Sequence, residues 1–138
     1  MKLRVESKRR ARALQLLYAM DTTGEVEPGV AAAGLSRLVG PAPLVLDDAH
    51  ALVEGVMAHC TSLDRLTQAA ADNWRIERLG VVERGILRIG THELMQGALP
   101  AKVVIDEAVW LAHRFAGPKA PAFINGVLDR VARNLGLL

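Results

Sequence analysis

The residues best suited to chemistry in this sequence are cations near its start. Six of the seventeen Lys and Arg residues (Lys2, Arg4, Lys8, Arg9, Arg10 and Arg12) fall within residues 2–12, against one of the fifteen acids, Glu6. The formal net charge is only +2, so the rest of the chain is slightly acidic. Positive charge concentrated in this way favours a polyanionic partner. On a helix, Lys8 and Arg12 are four residues apart and Arg12 and Gln15 three, which lines one polar face. Arg9 and Arg10 flank that face. Guanidinium forks match phosphate oxygens two at a time and also stack on bases. Tyr18, one turn further, is an amphipathic aromatic suited to stacking on an unpaired base. The bare charge run equally fits a solvated helix face with Tyr18 half-buried, or contact with anionic lipid. Lipid binding would leave large apolar residues exposed on the opposite face, whereas Leu14 and Leu17 are spaced for a core.

Other constellations point away from catalysis. The four histidines, His50, His59, His92 and His113, form no HExxH pattern, and the adjacent His59 and Cys60 point to different faces of a helix. No metal site and no cofactor are expected. The sequence has no Gly-rich phosphate loop and no GxSxG. Asp47-Asp48 and Asp106-Glu107 are neighbours, and adjacent helical residues diverge by about 100°, so neither pair is an acid–base dyad. Asp47-Asp48 suits a helix start, where the dipole favours anions. Cys60 is the single cysteine. It excludes an internal disulfide framework and reads as a buried thiol in a reducing compartment. The charged start has no apolar stretch after it, unlike a secretory signal, and no apolar run reaches the ~18–20 residues of a membrane span. The expectation is a cytoplasmic protein that is not an enzyme.

The elements that must position these groups are helices. The chain has 138 residues, 51% of them hydrophobic, enough for one domain with a real core. Residues 7–20 lack Gly and Pro, and Ala11, Leu14, Leu17 and Tyr18 recur at helical spacing, with Ser7 as N-cap and Gly24 as stop. A short helix is expected around Val30–Val39, between Pro and Gly breakers. Leu44 to Ala71 forms a long helical pattern with Leu46, Ala49, Leu52, Val53, Val56 and Met57 as its stripe. A second helix begins within it near Cys60-Thr61-Ser62, with Ser62 as cap and Leu63, Leu66 and Ala70 inward. Residues 73–80 read as a tight connection docked on the core by Trp74, Ile76 and Leu79. Val81–Met95 is a strong helix closed by Gly97. Pro100 opens the next, which runs to about Phe115 with Val104, Ala108, Leu111, Ala112 and Phe115 inward. Gly117-Pro118 is a stop, and a last helix spans roughly Pro121–Leu135. The fold class is all-α, a single domain of six to seven helices, with the basic N-terminal arm and helix over residues 1–22.

Two C-terminal stretches carry a family pattern. One holds Trp74, Arg78-Leu79, Glu83-Arg84, Ile86-Leu87-Arg88 and Glu93-Leu94. The other holds Pro100, Val103, Ile105-Asp106-Glu107-Ala108-Val109, Leu111-Ala112 and Phe123-Ile124-Asn125-Gly126-Val127-Leu128-Asp129. These resemble the NusB family of bacterial transcription antitermination factors, and Arg10, Gln15, Leu17 and Tyr18 fit the family's opening helix. The motif match covers roughly residues 8–22 and 74–133. Residues 23–72 match in length and helical character.

The resemblance implies two packed helical bundles. It also implies binding of single-stranded, boxA-like RNA of rRNA leaders, a complex with the ribosomal protein NusE, and joining of the RNA polymerase elongation complex to suppress premature termination. It places RNA contacts on Lys8, Arg9, Arg10, Arg12, Gln15, Tyr18 and Phe123. The segment before Phe123 departs from the family's D-S-x-x-F: here it is Lys119-Ala120-Pro121-Ala122, so a cap is lost, the local charge is reversed and Lys119 gains a possible phosphate contact. Trp110 stands where the family has a polar residue, and it is read as either buried or a partner surface. Asn125-Gly126 within a helix implies a close helix–helix approach at Gly126, with Asn125 bonding across it. Glu83 reads as a structural partner or an acceptor from base amino groups. On this reading, replacing Arg9 and Arg10 together weakens RNA binding and spares stability. Two rivals are an accessory domain akin to the N-terminal domain of rRNA cytosine methyltransferases, and a homodimer that masks the RNA site. No membrane partner is expected.

Overall fold

The computed structural model describes the backbone of residues 5–31 and 43–138, and the side chains of residues 6–31 and 48–138. All regular elements among the described residues are helical. They are α1 (Val5–Thr23), α2 (Pro43–Ala58), α3 (Cys60–Ala70), a 3-10 turn (Ile76–Arg78), α4 (Val81–Gln96), α5 (Ala101–Phe115) and α6 (Ala120–Asn134). The chain divides into two compact units, Met1–Ala58 and His59–Leu138. In the first, α1 packs on α2; in the second, α4, α5 and α6 pack on one another and α3 lies against α4 and α6. The helix expected around Val30–Val39 falls largely outside the described residues, though residues 28–31 are helical. Asp47 and Leu46 also lie where side chains are not described.

α1 buries Ala13, Leu14, Leu16, Leu17 and Met20. It begins at Val5, so Ser7 is not its N-cap; Ser7 lies inside the helix and is buried. Ser7, Arg10, Leu14 and Leu17 are spaced three or four apart, which puts Ser7 on the buried stripe. Gly24 ends the helix at φ +77°, donating its N–H to the Met20 carbonyl at 2.9 Å.

The break in the long pattern after Leu44 is at His59, which is the N-cap residue of α3 and makes no side-chain capping bond. Ser62 is therefore an exposed residue of the first turn, not a cap, because the helix starts two residues before it. Leu63 is fully buried, while Leu66 and Ala70 are half-buried. Arg88 of α4 clasps Asp64 of α3 with a forked pair, Nε to Oδ1 at 2.9 Å and Nη2 to Oδ2 at 2.8 Å. Deeper in, the buried Thr67 and Thr91 hydroxyls meet at 3.2 Å.

The core of the second unit is built on α4, where Ile86, Leu87, Ile89 and Leu94 are almost fully enclosed. Gly97 closes α4 in the left-handed region at φ +68°. The expected inward set of α5, Val104, Ala108, Leu111 and Ala112, is buried, and Phe115 is half-buried. At Gly90 a side chain of the neighbouring helix occupies the space of the missing Cβ. A Cβ there would lie 2.7 Å from Cδ1 of Leu128 on α6, a side chain with no solvent exposure. Gly90→Ala is expected to lose about 1–2 kcal/mol, since overpacking costs ~1–3 kcal/mol and helix propensity returns up to ~1. Urea denaturation measures this, and an unchanged or raised midpoint would contradict it.

Gly126 is the opposite case and a correction. Neither it nor Asn125 sits at a helix crossing: both are exposed, and a Cβ on Gly126 would meet nothing within 4 Å. The helix-approach role expected of Gly126 belongs to Gly90.

His92 is buried, with its ring 6.0 Å from that of His59. Burial first, and the neighbouring His59 second, push its pKa below the usual histidine value, while Glu93 opposes them. The folded form therefore resists protonation that the unfolded chain accepts near ~6.5. Stability from this site is present above that value and declines as pH falls below it. Melting at pH 7.5 and 5.5 should show the loss, and His92→Gln should flatten it; a pH-independent wild-type melt would contradict the assignment.

Candidate nucleic-acid interface

The α1 geometry sorts the basic candidates. Lys8 and Tyr18 are exposed, Tyr18 by 49%, and Arg12 and Gln15 are half-exposed. At 100° per residue, Lys8, Arg12 and Gln15 share the side of α1 facing away from Leu14 and Leu17, and Tyr18 stands at the edge of the buried stripe, one turn after Leu14. Arg12 Nη1 donates to Gln15 Oε1 at 3.1 Å, which holds the guanidinium along this face.

The other two arginines do not join it. Arg10 is 2% exposed, among the most enclosed large side chains of the protein. It precedes Leu14 by four residues and Leu17 by seven, so helical spacing carries it onto the buried stripe. Arg10 therefore lies inside the packing and not on the solvent-facing side with Lys8, Arg12 and Gln15. Arg9 is half-buried, and its Nε is shut off from solvent.

In the second unit, Trp74 corrects a further expectation. It does not dock on the core: it is 56% exposed and meets Phe123 edge to face, with ring centroids 5.3 Å apart at 71°. Ile76 alone of the three expected anchors is buried; Leu79 is half-buried. The loop is held from behind by Gln68, whose amide donates to the Trp74 carbonyl at 2.5 Å and accepts from the Ile76 N–H at 3.0 Å. The nitrogen and oxygen of one carboxamide thus fix the backbone that presents the indole. Exposed Arg75 and Arg78 follow Trp74 in the chain, Arg75 lying 3.9 Å from Glu77, and exposed Asp72 precedes it. Lys119 is exposed at the start of α6, where no side chain caps the helix. An exposed tryptophan backed by the half-buried Phe123 suits stacking on unpaired bases. Trp74 was legible as a candidate from its setting, a large aromatic within the polar run Asp72-Asn73-Trp74-Arg75.

The remaining candidates have structural explanations. Glu83 folds back over Gly80, the N-cap position of α4, where an acid favours the helix dipole. Trp110 is half-buried, and the Arg114 guanidinium lies 5.8 Å from its ring centre and 5.7 Å from that of Phe115. Burial raises the Cys60 pKa, against the opposing charge of Arg88, which suits a quiet thiol. No cluster of His, Cys, Asp and Glu among the described residues could hold a metal ion. No helix among the described residues is long and apolar enough to cross a membrane.

The sequence matches the NusB family over residues 7–133, a span that takes in the α1 face, the Trp74–Phe123 pair and the 23–72 region between them. The chain belongs to the NusB family. It is 41% identical over 128 residues to the transcription antitermination protein NusB of Sorangium cellulosum, covering 92% of this chain and 91% of that one. It is 41% identical over 127 residues to the NusB of Streptomyces griseus, covering 90% and 89%. Among solved structures it resembles a complex of antitermination factors NusB and NusE with double-stranded RNA (TM-score 0.82, 28% identity, 96% of this chain and 99% of that one). It also resembles NusB of T. maritima (TM-score 0.79, 26% identity, 96% and 93%). The all-helical NusB fold expected from the motifs is thus the fold found, and the family match extends across the middle region where single motifs were absent.

Proposed function

We propose that this protein is a non-catalytic, cytoplasmic transcription antitermination factor. It binds boxA-type single-stranded RNA of rRNA leaders together with ribosomal protein NusE, associates with the RNA polymerase elongation complex and prevents premature termination. The observation that carries the reading is the solvent-facing set Lys8, Arg12, Gln15 and Tyr18 on α1 of a NusB-family chain. The cations supply phosphate contacts and salt dependence, and Tyr18 supplies stacking. Lys119, Phe123 and Trp74 supply a second group of contacts in the other unit, and Arg9 adds long-range attraction. The complex of NusB and NusE with RNA among the structural neighbours supports the choice of partners.

The test is a titration of labelled boxA-like and scrambled RNA, with and without NusE. The reading expects the boxA-like strand to bind more tightly than the scrambled one, and NusE to raise its affinity further. Equal affinity for both strands, unaffected by NusE, would refute the specificity. No binding of either would refute the RNA reading itself.

A further inference from the structure

Nothing inside the protein requires a glycine at position 126. It sits mid-helix in α6 with an ordinary helical φ, fully in the open, with free space where a Cβ would be. A glycine there lowers helix stability and lays the backbone bare. Its neighbours give that bareness a direction. Lys119, Phe123, Gly126, Arg130 and Arg133 follow one another at intervals of four, three, four and three residues, so they form one stripe down the helix. Lys119, Arg130 and Arg133 are exposed, and Phe123 meets Trp74 at the stripe's near end. Asp129 lies at its edge and engages Arg133, whose Nε donates to Oδ2 at 2.8 Å. The stripe therefore has an aromatic pair and a lysine on one side of the bare backbone and two arginines on the other.

We propose that this stripe is the track on which the sugar–phosphate backbone of a bound single-stranded RNA lies against α6, with Gly126 its point of closest approach. The inference rests on the RNA-binding reading and adds to it a path and a positioning residue. The charge of the stripe selects a polyanion: three cations flank the gap and one acid stands beside them. Its span from 119 to 133 is about 21 Å along the axis, long enough for several phosphates. Phe123 and Trp74 offer rings to a base at one end, and the missing Cβ lets the strand come down onto the helix between the cations.

The experiment compares the full chain with Gly126→Ala, Gly126→Leu and Arg130→Ala, using fluorescence anisotropy with a labelled unstructured single-stranded RNA, and thermal melting alongside. Both Gly126 variants should melt at or above the wild-type temperature, because they add helix-forming side chains in open space. Their affinities should fall with side-chain size, about twofold for Ala and about tenfold for Leu, and Arg130→Ala should reduce the salt slope by about one contact. A Gly126→Leu protein that binds RNA as tightly as wild type overturns the track, including when it loses a protein partner instead. A wild-type chain that binds no RNA would overturn the parent reading as well, so the two failures are distinguishable.

Discussion

Arg10→Ala is expected to cost the fold about 2–4 kcal/mol, the range for removing a large, enclosed side chain and disturbing the polar groups around it. Arg10 is 2% exposed, on the α1 stripe that also buries Leu14 and Leu17. Lys8→Ala, by contrast, should change stability by no more than about 0.5 kcal/mol, as is usual at exposed positions. Two adjacent parts of one charge run thus separate into a structural residue and a surface residue. Guanidinium denaturation of the two variants measures the difference. Equal midpoints would mean that Arg10 is not held where the structure places it. The practical consequence is that an Arg9→Ala, Arg10→Ala double variant is a poor test of RNA binding, since lost folding and lost contact would be mixed in one result.

The second large effect is at Trp74. Stacking of an aromatic side chain on a base is worth about 1–3 kcal/mol, so Trp74→Ala should weaken RNA binding by roughly five- to a hundredfold. Trp74 is 56% exposed, and what it loses on truncation is one edge-to-face contact with Phe123. Stability should therefore fall by only about 0.5–1.5 kcal/mol. Trp74→Phe should retain much of the affinity. The chain has two tryptophans, so a Trp110→Phe background turns Trp74 into a single reporter whose fluorescence should be quenched when a base stacks on it. Unchanged fluorescence and affinity at saturating RNA would remove Trp74 from the interface.

Much of this was legible in the sequence, for a definite reason. A 3.6-residue period states which side chains share a face, and strong stripes such as Val104, Ala108, Leu111 and Ala112 were placed correctly with no other information. Period alone does not say how wide the buried side is. α1 buries Ala13 and Leu16 as well as Leu14 and Leu17, and that broad stripe takes in Ser7 and Arg10. The reading of Lys8, Arg12 and Gln15 as one polar face needed only spacing, and it matches the structure down to the Arg12–Gln15 hydrogen bond.

Trp74 and Gly126 were misread because their roles depend on tertiary neighbours. A tryptophan in a short loop is usually pulled inward by its area. Here Gln68 fixes the loop through its backbone and leaves the indole outside. Gly90 and Gly126 are both helical glycines, and only the position of Leu128 shows that one is a packing requirement and the other is not. The NusB motifs pointed to the family and the fold, while the exposure of each motif residue came from the packing.

RNA binding through the exposed face of α1 is tested most directly by its salt dependence. Affinity for a boxA-like single strand should be measured from about 50 to 200 mM salt for wild type and for Lys8→Ala, Arg12→Ala together. Wild type should show a steep slope, and the double variant should fold normally, bind at least about tenfold more weakly and have a slope smaller by about 1.4, at roughly 0.7 per lost phosphate contact. A double variant with wild-type affinity and slope would contradict binding through this face.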